Sequence, residues 1–284
     1  MPLLQPPDQL TSARAYRAST LTSYALAVER VIQTMRAQLS EPLSLEEMAE
    51  IACQSPFHFN RVFRSITSIP PGEFLAALRL DAAKRLVLTT SLSVTDVCFD
   101  LGYTSLGTFT TRFKQLVGLS PVQLRQLADE LAAAPLAPLE ARIHKPQSLT
   151  ALHEEGIQGT IAAPDSFGGL IFVGLFPRPV PQGHPIACTT LAAPGHFQLG
   201  PVPDGLYYLR AAALPWSLGA LNYLLPESGL LVAAAEQPVR VRNGRADAPV
   251  ALALRPHRAA DPPILGVFPP LLTTPVVRET RVLA

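Results

Sequence analysis

Between residues 22 and 130 apolar side chains recur every three or four positions. Val28, Val31, Ile32, Met35 and Leu39 form one stripe, and Phe59, Val62, Phe63 and Ile66 a second. Phe74, Leu75, Leu78, Ala82 and Leu86 form a third, and Phe109, Phe113 and Leu116 a fourth. That spacing puts each set on one face of a helix. Beyond residue 156 the pattern changes to alternation interrupted by turn residues. It predicts strands at 159–161, 170–176, 196–199, 206–211, 238–241 and 249–254, with Asn243-Gly244 as a tight hairpin between the last two.

The helical stripes are punctuated by start and stop signals. Ser44-Leu-Glu-Glu47 is a capping box, in which a hydroxyl and a carboxylate satisfy orphan amides at a helix start. It opens a short helix with Met48, Ile51 and Ala52 facing inward. Ser55-Pro56 opens the next helix, serine as cap and proline in the first turn, and Pro70-Pro71-Gly72 closes it. A longer helix follows over about 73–88. Ser93-Val-Thr-Asp96 is a second capping box, with Val97 and Leu101 inward and Gly102 at a turn. Ser105 caps another helix, which Gly118 ends before Ser120-Pro121. Ser55 and Ser105, Phe59 and Phe109, Phe63 and Phe113, Arg64 and Lys114, and Pro71 and Pro121 are all 50 residues apart, whereas Ser44 and Ser93 are 49 apart. The segment is therefore an internal repeat with one extra residue in the second turn.

Composition divides the chain at about residue 131. Of 29 prolines, 21 lie in 131–284 and five in 22–130. Proline removes a backbone donor and clashes with the preceding turn, so the last part is not mainly helical. The expected organisation is multi-domain, α then β: a flexible tail at 1–21, a helical domain at 22–130, a linker at 131–155, a β-sandwich at 156–258 and a Pro-rich tail at 259–284. The net charge of +1 gives no global field. No apolar run is long enough to cross a membrane, and the first 20 residues lack the pattern of a signal peptide, so a cytoplasmic location is expected. Three isolated cysteines argue against a disulfide framework and against a zinc site. Cys53 and Cys98 read as small apolar fillers of the turns.

Each repeat is a short capped helix, a tight turn and a second capped helix, the plan of a helix-turn-helix unit. Charge placement gives the pairs a polarity. No acidic residue lies between Ile51 and Gly72, where Arg61 and Arg64 stand, nor between Leu101 and Leu127, where Arg112, Lys114 and Arg125 stand. Acids gather instead on the first helices and on the stretch linking the two units (Glu46, Glu47, Glu50, Glu73, Asp81). Two locally basic second helices are what phosphate neutralisation requires, without a basic domain.

Residues 28–127 resemble the DNA-binding domain of the AraC/XylS family of bacterial transcription regulators. The resemblance is carried by Ser44-Leu-Glu-Glu-Met-Ala, Ser55-Pro-Phe-His-Phe-Asn-Arg-Val-Phe-Arg, Pro71-Gly-Glu-Phe-Leu, Arg79-Leu80, Val97-Cys-Phe-Asp-Leu-Gly-Tyr-Thr-Ser105, Arg112-Phe-Lys, Gly118-Leu-Ser-Pro121 and Arg125. It implies seven helices and a long central helix holding two reading helices about one DNA turn apart. In the first pair it places Phe57, Asn60 and Arg61 toward bases, with Arg64 nearer phosphate; His58, with no second ligand at metal spacing, reads as a helix-surface residue or a phosphate contact. Asparagine pairs with adenine, arginine with guanine, and an apolar ring meets a thymine methyl. In the second pair Leu106, Gly107, Thr108, Thr110 and Thr111 hold the corresponding surface. Many members carry arginine where Thr111 stands, whereas this chain has Arg112 one place later. The second helix is thus expected to position the protein through Arg112, Lys114 and Thr110.

The segment from Thr189 to Ala213 resembles the carboxypeptidase-regulatory or transthyretin-like sandwich, which implies a fold and not an activity. No nucleophile motif, metal-ligand spacing, phosphate loop or dinucleotide fingerprint occurs, so neither catalysis nor a cofactor is expected. Trp216 and Tyr223 lie in an apolar insertion at 214–231. That insertion, with Leu214, Leu218, Leu221, Leu224 and Leu225, is expected to serve self-association or ligand binding. The leading reading is a sequence-specific transcription regulator of duplex promoter or operator DNA, with a C-terminal β domain for effector sensing or self-association. Candidate further partners are a small-molecule effector, RNA polymerase and a second copy of the chain; no membrane partner is expected. The alternatives are a carbohydrate- or small-ligand-binding sandwich with a helical accessory domain, and an enzyme with a DNA-binding appendage.

Overall fold

The structure, a computed structural model, describes residues 9–133, 156–179, 181, 183–216, 221–226 and 229–266. The helices are α1 (Gln9–Ala37), α2 (Leu45–Ile51), α3 (Pro56–Thr67), α4 (Pro71–Thr89), α5 (Val94–Asp100), α6 (Leu106–Val117) and α7 (Pro121–Ala133). They are followed by β1 (Ile157–Ala162), β2 (Gly169–Phe176), β3 (Ala187–Leu191), β4 (Gly195–Leu199), β5 (Gly205–Pro215), α8 (Leu221–Leu224) and β6 (Leu231–Ala234). The remaining strands are β7 (Val239–Arg242), β8 (Arg245–Ala246), β9 (Val250–Ala253) and β10 (Arg255–Pro256). Among the described residues no helix is long and apolar enough to cross a membrane.

Helix α1 begins at Gln9, inside the segment expected to be a flexible tail. The reason is compositional: between Pro7 and Pro42 there is neither proline nor glycine, and alanine, leucine and arginine favour a helix. Helix α7 runs to Ala133, three residues into the linker expected at 131–155; residues 134–155 lie outside the described residues.

Contacts divide the chain within α4, not near residue 131. One compact unit runs to Leu78 and includes Ala259–Pro262; the other runs from Arg79 to Arg258 and resumes at Pro263. In the first unit Val28, Val31, Ile32 and Met35 of α1 are buried, as are Met48, Phe59 and Phe63. Phe63 packs edge-on against Phe59 (centroids 5.4 Å apart) and against Phe74 (5.5 Å). The repeat reproduces this locally in the second unit, where Phe109 lies 5.1 Å from Tyr103 and 5.7 Å from Phe113.

The second unit also holds two sheets. One has the order β4-β1-β9; the other runs β10-β6-β5-β2-β3, with β7 and β8 added alongside β5. Among the described residues the strand pairs are antiparallel except β1 with β9, and an isolated parallel bridge joins Gly156 to Arg245. The sheets share one buried cluster: Ile157, Ile161, Phe197 and Leu252 from the first meet Ile171, Val173, Leu209 and Val241 from the second. The other face of β2 is covered as well, since Leu170 and Phe172 join Ala212, Leu214 and Tyr223 in a second cluster. Burial on both faces explains why β2 reads as an unbroken apolar run instead of an alternating one. The turn at Asn243-Gly244 forms with both residues at positive φ (51° and 72°), but it joins β7 to the short β8; the strand expected after it, at 249–254, pairs instead with β1 in the other sheet. The first residues of the expected Pro-rich tail are packed: Leu265 is fully buried, and the Lys84 ammonium donates to the Ile264 carbonyl at 3.4 Å.

Candidate nucleic-acid interface

Two short helices, α2 and α5, start on reciprocal capping boxes. The Ser44 amide donates to Glu47 at 2.7 Å, and the Glu47 amide donates back to the Ser44 hydroxyl at 3.2 Å. These backbone and side-chain bonds from Ser44 hold the Glu47 carboxyl below the usual carboxylate range. Ser93 and Asp96 repeat the arrangement at 3.2 and 3.1 Å. A third box, Ser120 with Gln123, opens α7; its Ser-x-x-Gln signal was legible in the sequence but was not read as a box.

The turns that launch α3 and α6 are also copies. The Cys53 amide donates to the Glu50 carbonyl and the Gln54 amide to that of Ala49, both at 2.9 Å. The Gly102 amide donates to the Phe99 carbonyl at 3.0 Å and the Tyr103 amide to that of Cys98 at 3.1 Å. These positions keep the offset of 49, so the extra residue of the second copy is Thr104, between Tyr103 and the Ser105 cap. Ser105 accepts from the Thr108 amide, whereas Ser55 sits at a cap with no side-chain bond, its place in the first turn taken by Pro56. Cys98 is buried as expected. Cys53 is exposed and is no filler.

Helix α3 buries Phe59, Val62 and Phe63 and turns Phe57, Asn60, Arg61 and Arg64 to solvent. Phe57 is 83% exposed, too much for a core residue on a buried stripe. His58 is half-buried and stacks edge-on against Tyr24 of α1 (5.4 Å). Arg61 lies 3.2 Å from His58 Nδ1, and His58 Nε2 lies 3.2 Å from the Tyr24 hydroxyl. A guanidinium only donates, so Nδ1 is the acceptor and Nε2 carries the proton toward Tyr24. His58 therefore orients Arg61 from α1. The expected surface or phosphate contact of His58 does not include Tyr24, because that partner lies 34 residues away.

Helix α6 turns Leu106, Gly107, Thr108, Thr111, Arg112 and Lys114 to solvent and buries Phe109 and Phe113. Thr110 is half-buried, and its hydroxyl donates back to the Leu106 carbonyl. Arg125, counted among the basic residues of this half, is turned inward. It donates to the carbonyls of Val87 (3.1 Å), Thr90 (3.4 Å) and Leu92 (2.8 Å), which closes the end of α4.

The apolar insertion does not form the expected surface. Leu214, Tyr223, Leu224 and Leu225 are buried, and Trp216 is half-buried against the same cluster. Their partners are the outer-face residues of β2 and β5. Leu218 lies outside the described residues, and the side chain of Leu221 is not described.

The helix-turn-helix domain family matches residues 48–127, a span that begins in α2, ends in α7 and includes no strand. The transcriptional activator AarP of Providencia stuartii is 31% identical over 102 residues, covering 36% of this chain and 75% of that protein. The chain belongs to the AraC family of helix-turn-helix regulators. Another relative, the bifunctional transcriptional activator and DNA repair enzyme AdaA of Bacillus subtilis, is 30% identical over 101 residues, 36% of this chain and 48% of its own length. The chain thus spans about half of AdaA and three-quarters of AarP. Among solved structures, the DNA-binding domain of AdpA in complex with a target DNA is 29% identical over 36% of this chain and 93% of that one, with a TM-score of 0.35. In this AraC-family chain the similarity reported with these relatives leaves most of the molecule unmatched.

Proposed function

We propose that the chain is a sequence-specific DNA-binding transcription regulator, with α3 and α6 as the reading helices and the β half as its control module. The observation that carries this is the face of α3. Phe57, Asn60 and Arg61 project together to solvent from a helix whose other face is packed, and His58 holds Arg61 in place. Asn60 pairs with adenine, Arg61 with guanine, and Phe57 meets a thymine methyl. Arg64 neutralises phosphate.

Helix α6 reads less and positions more. Arg112 and Lys114 supply its charge. Thr108 and Thr111 are its exposed hydroxyls, and Leu106 is its apolar contact at the first turn. The Thr110 hydroxyl is committed to its own helix. On this reading the protein acts by binding and not by chemistry, and residues 22–130 contain the whole DNA-contacting surface.

The test is a salt series on full-length protein with its selected duplex and with a scrambled one. Both must weaken steeply as salt rises, because phosphate neutralisation releases counterions. The selected duplex must keep a preference of about a thousandfold or more. Equal binding to both duplexes would refute the sequence-reading assignment.

A further inference from the structure

We infer that the cavity between the C-terminal turn of α6 and the outer face of β2, β3 and β5 binds a small uncharged apolar molecule, and that α6 responds to its occupancy. The site itself stands on the geometry below; only the readout through α6 rests on the DNA-binding reading.

The first observation is a backbone contact between the β half and the reading helix, both within the second unit. The Gly183 amide donates to the Leu116 carbonyl at 2.8 Å, satisfying one of the acceptors that every helix leaves open at its C-terminus. The approach requires glycine at 183, and at 118 it is tight, where the positive φ also favours glycine. A Cβ on Gly183, whose φ is +68°, would stand 2.6 Å from the Gln115 carbonyl oxygen. A Cβ on Gly118, whose φ is +94°, would stand 3.3 Å from the His184 ring. A shift of the loop around Gly183 therefore moves or frees the last turn of α6.

The second observation is the space beside that contact. The cavity has a volume of about 60 Å³ and is partly open to solvent. Val117, Leu119, Phe172, Phe176 and Ile264 form most of its wall. Small residues keep it open where the rest of β2 is large. Gly174 faces Cys188 across the β2–β3 pair, and a Cβ on Gly174 would come within 2.9 Å of the Phe176 ring. A glycine inside a strand is a mark of close approach by another group.

The third observation is electrical. Among the described residues the wall holds no aspartate or glutamate. Its guanidinium, on Arg210, has a partner, although the buried Nε donates to none, and the His184 ring is the other titratable group of the wall besides Cys188. Burial pushes the Cys188 thiol up, so it lines the cavity as a neutral group. An ionised ligand would lose hydration here, whereas an apolar one loses nothing and gains contacts. An engineered apolar cavity of about 150 Å³ admits benzene, so this one encloses a group of about three carbons, with the remainder of the ligand in the open mouth.

The experiment uses full-length protein with methyl-labelled valine, leucine and isoleucine. Isobutanol is the probe, and isobutyrate, with the same carbon skeleton and a charge, is its control. Saturable shifts of the Val117, Leu119 and Ile264 methyl signals are expected with isobutanol and not with isobutyrate. They should vanish in Gly174→Ala, where the Phe176 ring must swing away from the new methyl, and in Cys188→Met, which fills the cavity from the neighbouring strand. Saturating isobutanol should shift the duplex dissociation constant about fivefold, a typical coupling between sites. Absence of saturable shifts, or equal shifts with isobutyrate, overturns the site. Saturable shifts with an unchanged dissociation constant overturn the coupling to α6. A chain that binds no duplex at all overturns the DNA-binding reading instead, and the methyl titration still decides the site.

Discussion

Cys53 and Gly102 occupy one position in two copies of the same turn. Both have positive φ, 54° and 74°, and both donate to the carbonyl three residues back. Glycine meets no steric objection in the left-handed region, whereas a residue with a Cβ does. The first copy therefore carries strain that the second does not. The C-caps of the reading helices show the same asymmetry, with Ser68 at +69° against Gly118 at +94°.

Cys53→Gly should accordingly stabilise the protein by about 0.5–1 kcal/mol, the steric relief being partly offset by the entropy of a freer unfolded chain. Cys53 is exposed, so no packing is lost. Urea unfolding of parent and variant is the check; a destabilised variant would mean that the turn is not strained.

Lys84 is almost fully buried, and desolvation lowers its pKa to about 8, with Asp81 opposing the shift and Arg85 adding to it. The unfolded chain keeps this proton up to about 10.5. Between pH 8 and 10.5 the unfolded state binds more protons, so stability rises with pH across that window, and below it the full penalty applies. Lys84→Met should stabilise the protein at pH 7 by about 1–3 kcal/mol and flatten the rise between pH 8 and 10.5. Thermal unfolding across pH 6.5–10.5 would contradict this if both proteins showed the same slope.

Arg125→Ala should cost about 2–3 kcal/mol, since it leaves the carbonyls of Val87, Thr90 and Leu92 without their charged donor. Lysine should restore only part of this, lacking the planar fork. The salt slope of duplex binding should stay unchanged, because this arginine faces inward. A slope reduced by about one unit would place Arg125 on phosphate after all.

Arg61→Ala should relax preference at one base position by about 1–3 kcal/mol, while Lys114→Ala should weaken all duplexes alike and lower the salt slope by about one. His58→Leu should act in the same direction as Arg61→Ala, but less, since it removes the partner and not the reader. Binding to a panel of single-base variants separates these outcomes.

The helical half was legible because its signals are local. Ser44 with Glu47 and Ser93 with Asp96 cap within one turn, and phenylalanines at fixed offsets mark the buried stripe. What escaped depends on distant partners. Nothing near Arg125 in sequence announces the carbonyls of Val87 and Leu92, and nothing near His58 announces Tyr24. In the β half, β3 has every residue half-buried and so no alternation to read, and β6 is four residues long and starts on the last residue of the stretch taken as an insertion. Tyr223 lies in an apolar stretch whose prolines, glycines and serines do not read as a core element, and its cover comes from the second buried face of β2, whose unbroken apolar run is the sign of it.

The most direct test of the whole account is selection of bound sequences from a random duplex pool by the full-length protein, repeated with Asn60→Ala and Arg61→Ala. The account predicts one enriched site, with loss of enrichment in the variants confined to the positions read by α3. Recovery of an unenriched pool by the parent, or of an identical site by the variants, would contradict it.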